Sequence, residues 1–274
     1  MRKLLDADLL PFGHPFRVDD EQELVGGNVS IGVVRVGDTV RRPAGPWTPA
    51  VHALLLHLHE VGFPHSPRSF GLDDQGRHVL EYIPGEVAHP FRAVGETRVA
   101  ALHTIGSITR QLHDALEGFL PPADAHWHNP IPPDAADLLV HNDLAPWNLV
   151  RTADRIVFID WDGAAPGSRM WDLSYAAHGF VPLAAYSDVI SAGIGLRALA
   201  DGYGLDAAGR HRLALLLARR TRSMYDLLAD GHRTGQQPWS RLWDQGHGHT
   251  WRADTEWIQR HLGELRNSLL DKLL

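Results

Sequence analysis

The spacing of apolar and polar positions changes character near residue 85. Upstream, Val33, Val34 and Val36 run into Gly37-Asp38, and Thr39-Val40-Arg41-Arg42 follows. A turn pair that tolerates positive φ between two β-branched runs predicts a hairpin. Between Pro49 and Glu60, Val51, Leu54, Leu55 and Leu58 recur at the three-and-four spacing of a buried helical stripe, its start delayed by Pro43, Gly45 and Pro46. The turn Asp74-Gln75-Gly76 then leads into a strand from Arg77 to Ile83, which Pro84-Gly85 stops. Together these predict a small β-rich lobe carrying one helix.

Beyond residue 86 the pattern becomes mainly helical. Leu102, Ile105, Ile108, Leu112 and Ala115 form one face of a segment from Thr97 to Glu117, which Pro121-Pro122 ends. A proline-containing loop from His128 to Pro133 precedes two short apolar runs, and two or three amphipathic helices are expected over roughly Tyr186–Leu228 and Thr250–Leu270. The expected class is therefore α+β in two lobes, residues 1–83 and 84–274, without internal repeats.

Composition narrows the function. The chain has 274 residues, 44% hydrophobic and 22% charged, which is ordinary globular composition. It has no cysteine, which excludes disulfides, thiolate zinc sites and a cysteine nucleophile. A net charge of −7 argues against nucleic-acid binding, which needs a concentrated basic surface. Asp6 and Asp8 interrupt the apolar residues of Met1–Leu10, so neither a secretory segment nor a membrane span is expected, and the cytoplasm is the expected location. Lys3 and Lys272 are the only lysines, so positive charge in the body of the fold must come from arginine, or from histidine when protonated.

The chemistry concentrates in Asp137-Leu138-Leu139-Val140-His141-Asn142-Asp143-Leu144-Ala145-Pro146-Trp147-Asn148-Leu149-Val150, continued by Arg155-Ile156-Val157-Phe158-Ile159-Asp160-Trp161-Asp162. One apolar strand delivers a polar loop and a second delivers a carboxylate. Phosphoryl transfer needs such a set: a carboxylate to orient the acceptor hydroxyl and take its proton, and hard oxygen ligands for magnesium. Asp143 suits the first task, Asn148 and Asp160 the second. Upstream, Gly26, Gly27, Asn28 and Ser30 permit a backbone that brings N–H groups to a phosphate, or form a plain turn between strands.

The spacing His141-x-Asp143-Leu144-x-x-x-Asn148 resembles the protein-kinase catalytic loop, and the run through Ile159-Asp160-Trp161 is more similar still to the aminoglycoside phosphotransferase and choline kinase group. That resemblance implies a two-lobed protein-kinase-like fold, with nucleotide held by the first lobe and catalysis and acceptor binding in the second. It implies Asp143 as catalytic residue, Asn148 and Asp160 as Mg2+ ligands, and ATP or GTP as co-substrate. His141 and Asp172 would support the loop. Leu80-Glu81-Tyr82-Ile83 resembles the hinge whose backbone, at Glu81 and Ile83, holds the base, an ordinary strand end being the other reading, and Gly26, Gly27, Asn28 and Ser30 resemble the phosphate loop. Where the family carries a lysine on its third strand, Arg41 is the best match and Arg42 the second; a solvated strand end is the other reading of the pair. The helix from Pro49 to Glu60 lacks the family's central glutamate, offering His52 and His57 instead.

The acceptor side is less defined. Arg219, Arg220, Arg222 and Arg233 are interspersed with Asp226 and Asp230, without the acidic cluster a polycation would require, and Trp239, Trp243, Trp251 and Trp257 serve either as core or as pocket lining. His247-Gly248-His249 lacks a third metal ligand. The expected function is a small-molecule kinase acting on a hydroxyl of an antibiotic or metabolite. The competing reading is a catalytically weak or inactive nucleotide-binding immunity or regulatory protein of kinase fold.

Overall fold

The computed structural model describes residues 21–24, 32–92 and 95–270. The first part is one antiparallel sheet of five strands with a single helix. Its strands are β1 (Gln22–Glu23), β2 (Val34–Val36), β3 (Thr39–Pro43), β4 (Ser69–Leu72) and β5 (Arg77–Glu81), in the order β1-β2-β3-β5-β4. The β2–β3 hairpin closes at Gly37, whose φ of 58° is what the turn requires. Helix α1 (Thr48–Glu60) starts with proline in its first turn and buries Val51, Leu54, Leu55 and Leu58.

The second part is mainly helical. Two small sheets flank the central loops: β6 (Glu86–Val87) pairs with β8 (Leu149–Arg151), which pairs with β9 (Ile156–Phe158), while β7 (Leu138–Val140) pairs with β10 (Ala165–Gly167). Around them pack α2 (Gly95–Ala115), α3 (Arg169–Phe180), α4 (Val189–Tyr203), α5 (Ala207–Thr234), α6 (Trp239–Asp244), α7 (His247–Arg260) and α8 (Leu262–Leu270). The helical C-terminal region divides more finely than the periodicity suggested. Gly204 in the left-handed region ends α4, and Asp206, accepting from the Gly209 N–H, caps α5. Helix α3 was not expected; Ser168 caps it through the Trp171 N–H.

Helices α2 and α4 cross with their backbones nearly touching. A Cβ at Gly106 would lie 2.1 Å from the Leu199 carbonyl oxygen, and one at Gly202 would lie 1.9 Å from that of His103. One continuous core joins α1, α2, α3, α4 and α5, with Trp161 and Phe158 buried at its centre. The two parts are stitched by polar contacts as well. The Phe158 N–H donates to the His65 carbonyl at 2.9 Å, Arg155 donates to Glu81 at 2.7 Å, and the His57 imidazole bonds the Ala115 carbonyl oxygen at 2.8 Å. Among the described residues no helix is long and apolar enough to cross a membrane.

Candidate active site

Two loops converge at the junction of the parts, one leaving β7 and one leaving β9. Each turns on a residue in the left-handed region, Asn142 at φ 66° and Asp160 at φ 61°. Such a backbone costs a non-glycine residue roughly 1 kcal/mol, so each needs local compensation. At Asn142 the amide Nδ2 donates to the Gly163 carbonyl at 3.0 Å, tying one loop to the other, and its N–H donates to Asp172 at 2.7 Å.

Asp172, on α3, lies fully buried beneath the first loop and also accepts from the His141 N–H at 3.3 Å and the His113 imidazole at 3.1 Å. Burial alone would push its carboxyl up, but the bonds and charge from His113 hold it below the usual carboxylate range. Behind it the chain of contacts continues outward: His113 Nδ1 bonds the Tyr203 hydroxyl at 2.7 Å, and Arg169 reaches that hydroxyl at 3.4 Å. His141 is buried between the loops. Its Nε2 bonds the Ile159 carbonyl oxygen at 3.2 Å, its Nδ1 accepts from the Asp143 N–H at 3.3 Å, and its ring lies 4.5 Å from that of Trp161. This arrangement puts the proton on Nε2, and desolvation lowers the imidazole's pKa.

Asp143 is half-buried at the loop tip. Burial pushes its carboxyl up to about 7, and the Asp160 charge adds to the rise, while bonds from Tyr175 and Asn148 oppose it. A carboxyl poised near neutrality is suited to taking a proton. Pro146–Asn148 form a short 3-10 turn that brings Asn148 back beneath the loop, where Nδ2 donates to the Asp143 carboxylate at 2.7 Å and to its carbonyl at 3.0 Å. With Nδ2 so committed, the amide presents oxygen rather than nitrogen to a cation. Asn148 and Asp160 thus make a hard-oxygen pair, which suits magnesium because that ion takes one or two protein ligands and completes its shell with phosphates and water.

Of the two adjacent arginines, Arg42 and not Arg41 faces the loops. Arg42 lies opposite His78 in the β3–β5 ladder and donates to Asp160 at 3.0 Å and to Asp162 at 2.7 Å. Arg41 projects from the other face of the sheet, where it bonds Thr39 and pairs with Asp73 at 3.4 Å. Side chains alternate faces along a strand, so two adjacent arginines cannot share a face; the spacing to the turn did not settle which one faced inward. His52 and His57 do not replace the helix glutamate. His52 bonds Ser69, and His57 bonds the end of α2.

At the expected hinge, the Glu81 side chain is held by Arg155 and by the Arg68 N–H, and its own N–H donates to the Arg68 carbonyl at 2.9 Å. Ile83 is buried with Val150 and Val157 beneath the junction. Gly26, Gly27, Asn28 and Ser30 lie outside the described residues.

Two residues of this neighbourhood, Asp162 and Tyr175, were not singled out from the sequence, and Arg220 was read only as one of the acceptor-side arginines. Asp162 follows Asp160 by two positions, and a second carboxylate at that spacing was the available signal. Tyr175 carried none, and Arg220 only its place among neighbouring arginines: the Tyr175 hydroxyl faces Asp143, and Arg220, on α5, donates to the Asn142 carbonyl at 3.0 Å with its guanidinium 4.3 Å from the Tyr175 ring centre. Farther along α5 a groove of about 410 Å³ is lined by Ile131, Trp171, Arg219, Arg222, Asp226 and Asp230, among others. Its carboxylates are paired, Asp226 with Arg222 and Asp230 with Arg233.

Comparison with known proteins finds relatives in sequence and in fold. The model of the phosphotransferase enzyme family matches residues 119–216, which span both loops. The trifolitoxin immunity protein of Rhizobium leguminosarum bv. trifolii is 34% identical over 209 residues, 70% of this chain and 77% of that protein. Among solved structures, a choline/ethanolamine kinase family protein from Mesorhizobium loti superposes with a TM-score of 0.60 at 19% identity, covering 89% of this chain and 92% of that one. An amicoumacin kinase, in complex with AMP-PNP, Ca2+ and Ami, gives 0.60 at 14% identity over 89% and 90%. These structural likenesses are likenesses of fold, and the immunity protein supplies the relationship in sequence. The chain belongs to the phosphotransferase enzyme family, in the aminoglycoside phosphotransferase and choline kinase group of protein-kinase-like folds.

Proposed function

We propose that the protein is a small-molecule kinase that transfers the γ-phosphoryl group of ATP or GTP to a hydroxyl of an antibiotic or metabolite. The observation that carries this reading is the meeting of the two loops, where Asn148 Nδ2 holds the Asp143 carboxylate at 2.7 Å and Arg42 holds Asp160 at 3.0 Å. Asp143 orients the acceptor hydroxyl and receives its proton. Asn148 and Asp160 would hold Mg2+, which when bound neutralises phosphate charge as it develops. Residues 1–83 would hold the nucleotide, with the Glu81 carbonyl and Ile83 N–H meeting the base and Arg42 gripping phosphate oxygens in a fork. Residues 84–274 supply catalysis and the acceptor surface. Paired carboxylates in the α5 groove favour a weakly charged or amphoteric acceptor over a polycation.

The test is incubation with Mg·ATP and a panel of metabolites and antibiotics, read by mass spectrometry for a phosphate increment. With an accepted substrate, Asp143→Asn is expected to keep nucleotide affinity while transfer falls by about three orders of magnitude or more. Equal turnover in that variant would sink the assignment. The immunity-protein relative and the missing helix glutamate favour a second reading, in which the fold binds a nucleotide or toxin without phosphorylating it. Binding of Mg·ATP with no mass increment on any acceptor selects it.

A further inference from the structure

We propose that Asp162 is the positioning carboxylate for Arg42, doing from the second part of the molecule what a glutamate on the small lobe's helix does in kinase-like folds. The inference rests on the nucleotide-binding reading above. A cation that grips phosphates from a strand must be aimed, because a free arginine has many rotamers and loses their entropy on binding. In this chain α1 cannot aim it. The helix reads Thr-Pro-Ala-Val-His-Ala-Leu-Leu-Leu-His-Leu-His-Glu, its one acid, Glu60, is exposed in the last turn, and its inward histidine is committed to Ser69.

Arg42 nonetheless has a defined direction. It is buried on the inner face of β3 between His78 and the loop after β9. The left-handed turn at Asp160 bends that loop into a 3-10 turn over Trp161–Gly163, so that Asp160 and Asp162 approach the guanidinium together. Asp162 makes the shorter bond, 2.7 Å to Nη2 against 3.0 Å from Asp160 to Nη1, and the Trp47 indole at the start of α1 lies beside its carboxyl. The two carboxylates therefore divide two tasks. Asp160 shares its oxygen between Arg42 and any cation it holds, whereas Asp162 remains with Arg42 and keeps the fork aimed at the phosphate side. Positioning from this loop links the phosphate-gripping cation directly to the metal-binding carboxylate, with no requirement on α1.

The test is titration calorimetry of the full chain with ATP and with adenosine, each in Mg2+ and in EDTA. Asp162→Asn is expected to weaken ATP about tenfold in both conditions and to leave adenosine unchanged; Asp162→Glu is expected to restore most of the ATP affinity. Arg42→Gln should show the same loss, and the double variant no further one. Unchanged ATP affinity in Asp162→Asn overturns the proposal. So does a loss confined to Mg2+, which would make Asp162 a metal ligand, a loss equal for adenosine, which would make it merely structural, or additive losses in the double variant. Wild-type protein that binds no nucleotide fails the underlying reading instead, and the inference falls with it.

Discussion

Ser69 stands between two imidazoles, 2.7 Å from His52 Nδ1 and 2.7 Å from His78 Nε2. A hydroxyl has one proton, so it donates to one ring and accepts from the other. His78 is the more constrained. Burial pushes its pKa down to about 4, and the neighbouring charges of Arg42 and His52 act in the same direction. A histidine whose folded pKa lies below its unfolded value leaves stability untouched above about pH 6.5 and costs stability as pH falls from there to about 4. Between pH 7 and pH 5 this one residue is expected to account for about 2 kcal/mol of lost stability. Urea denaturation of wild type and His78→Gln at both pH values checks it: the variant's stability should fall less steeply, and parallel falls would refute the assignment. Residues of this kind are poorly legible in a sequence. Asp143, Asn148 and Asp160 stood out because a loop fixes their spacing, whereas Arg42 depended on which face of β3 it occupied, and Tyr175 and Arg220 reach the site from elements far away along the chain.

Helices and strands with strict periodicity were readable, because one face of each meets the core. The β2–β3 hairpin, α1 and α2 all fall where the apolar spacing put them, within a few residues. Helix α3 was missed because it is buried nearly all round, from Met170 to Ala177, and so shows no alternation between faces. The division between α4 and α5 depends on one glycine and one capping aspartate, which a helical periodicity running across them conceals. The α2–α4 crossing gives an element-scale prediction. Gly106→Ala forces a methyl group against the Leu199 carbonyl, so the helices must separate. A loss of roughly 2–3 kcal/mol is expected by denaturant titration, against at most a small change for Gly118→Ala, whose surroundings are open. Equal effects would show that the close approach is not a constraint.

At the scale of the molecule, the site belongs to neither part alone. Arg42 comes from the sheet, Asp143 and Asp160 from the loops, and Arg155–Glu81 and His65–Phe158 fix one part against the other. On the proposed reading, a nucleotide seated there would hold both parts together and stabilise them as a unit. At a hundredfold excess over Kd this is about 2.7 kcal/mol, or a rise in Tm of roughly 5–10 °C. Differential scanning calorimetry should show that rise as one transition moving; a transition that splits, with half of it unmoved, would place binding in one part only. The buried contacts running from Arg169 through Tyr203 and His113 to Asp172 have a further, spectroscopic consequence. The His113 Nε2 proton is sealed from solvent and held by a carboxylate, so it should exchange slowly and resonate downfield of the amide envelope. Since the same carboxylate seats the backbone of His141 and Asn142, that single proton resonance reports, without any label or ligand, whether the loop that carries Asp143 is in place.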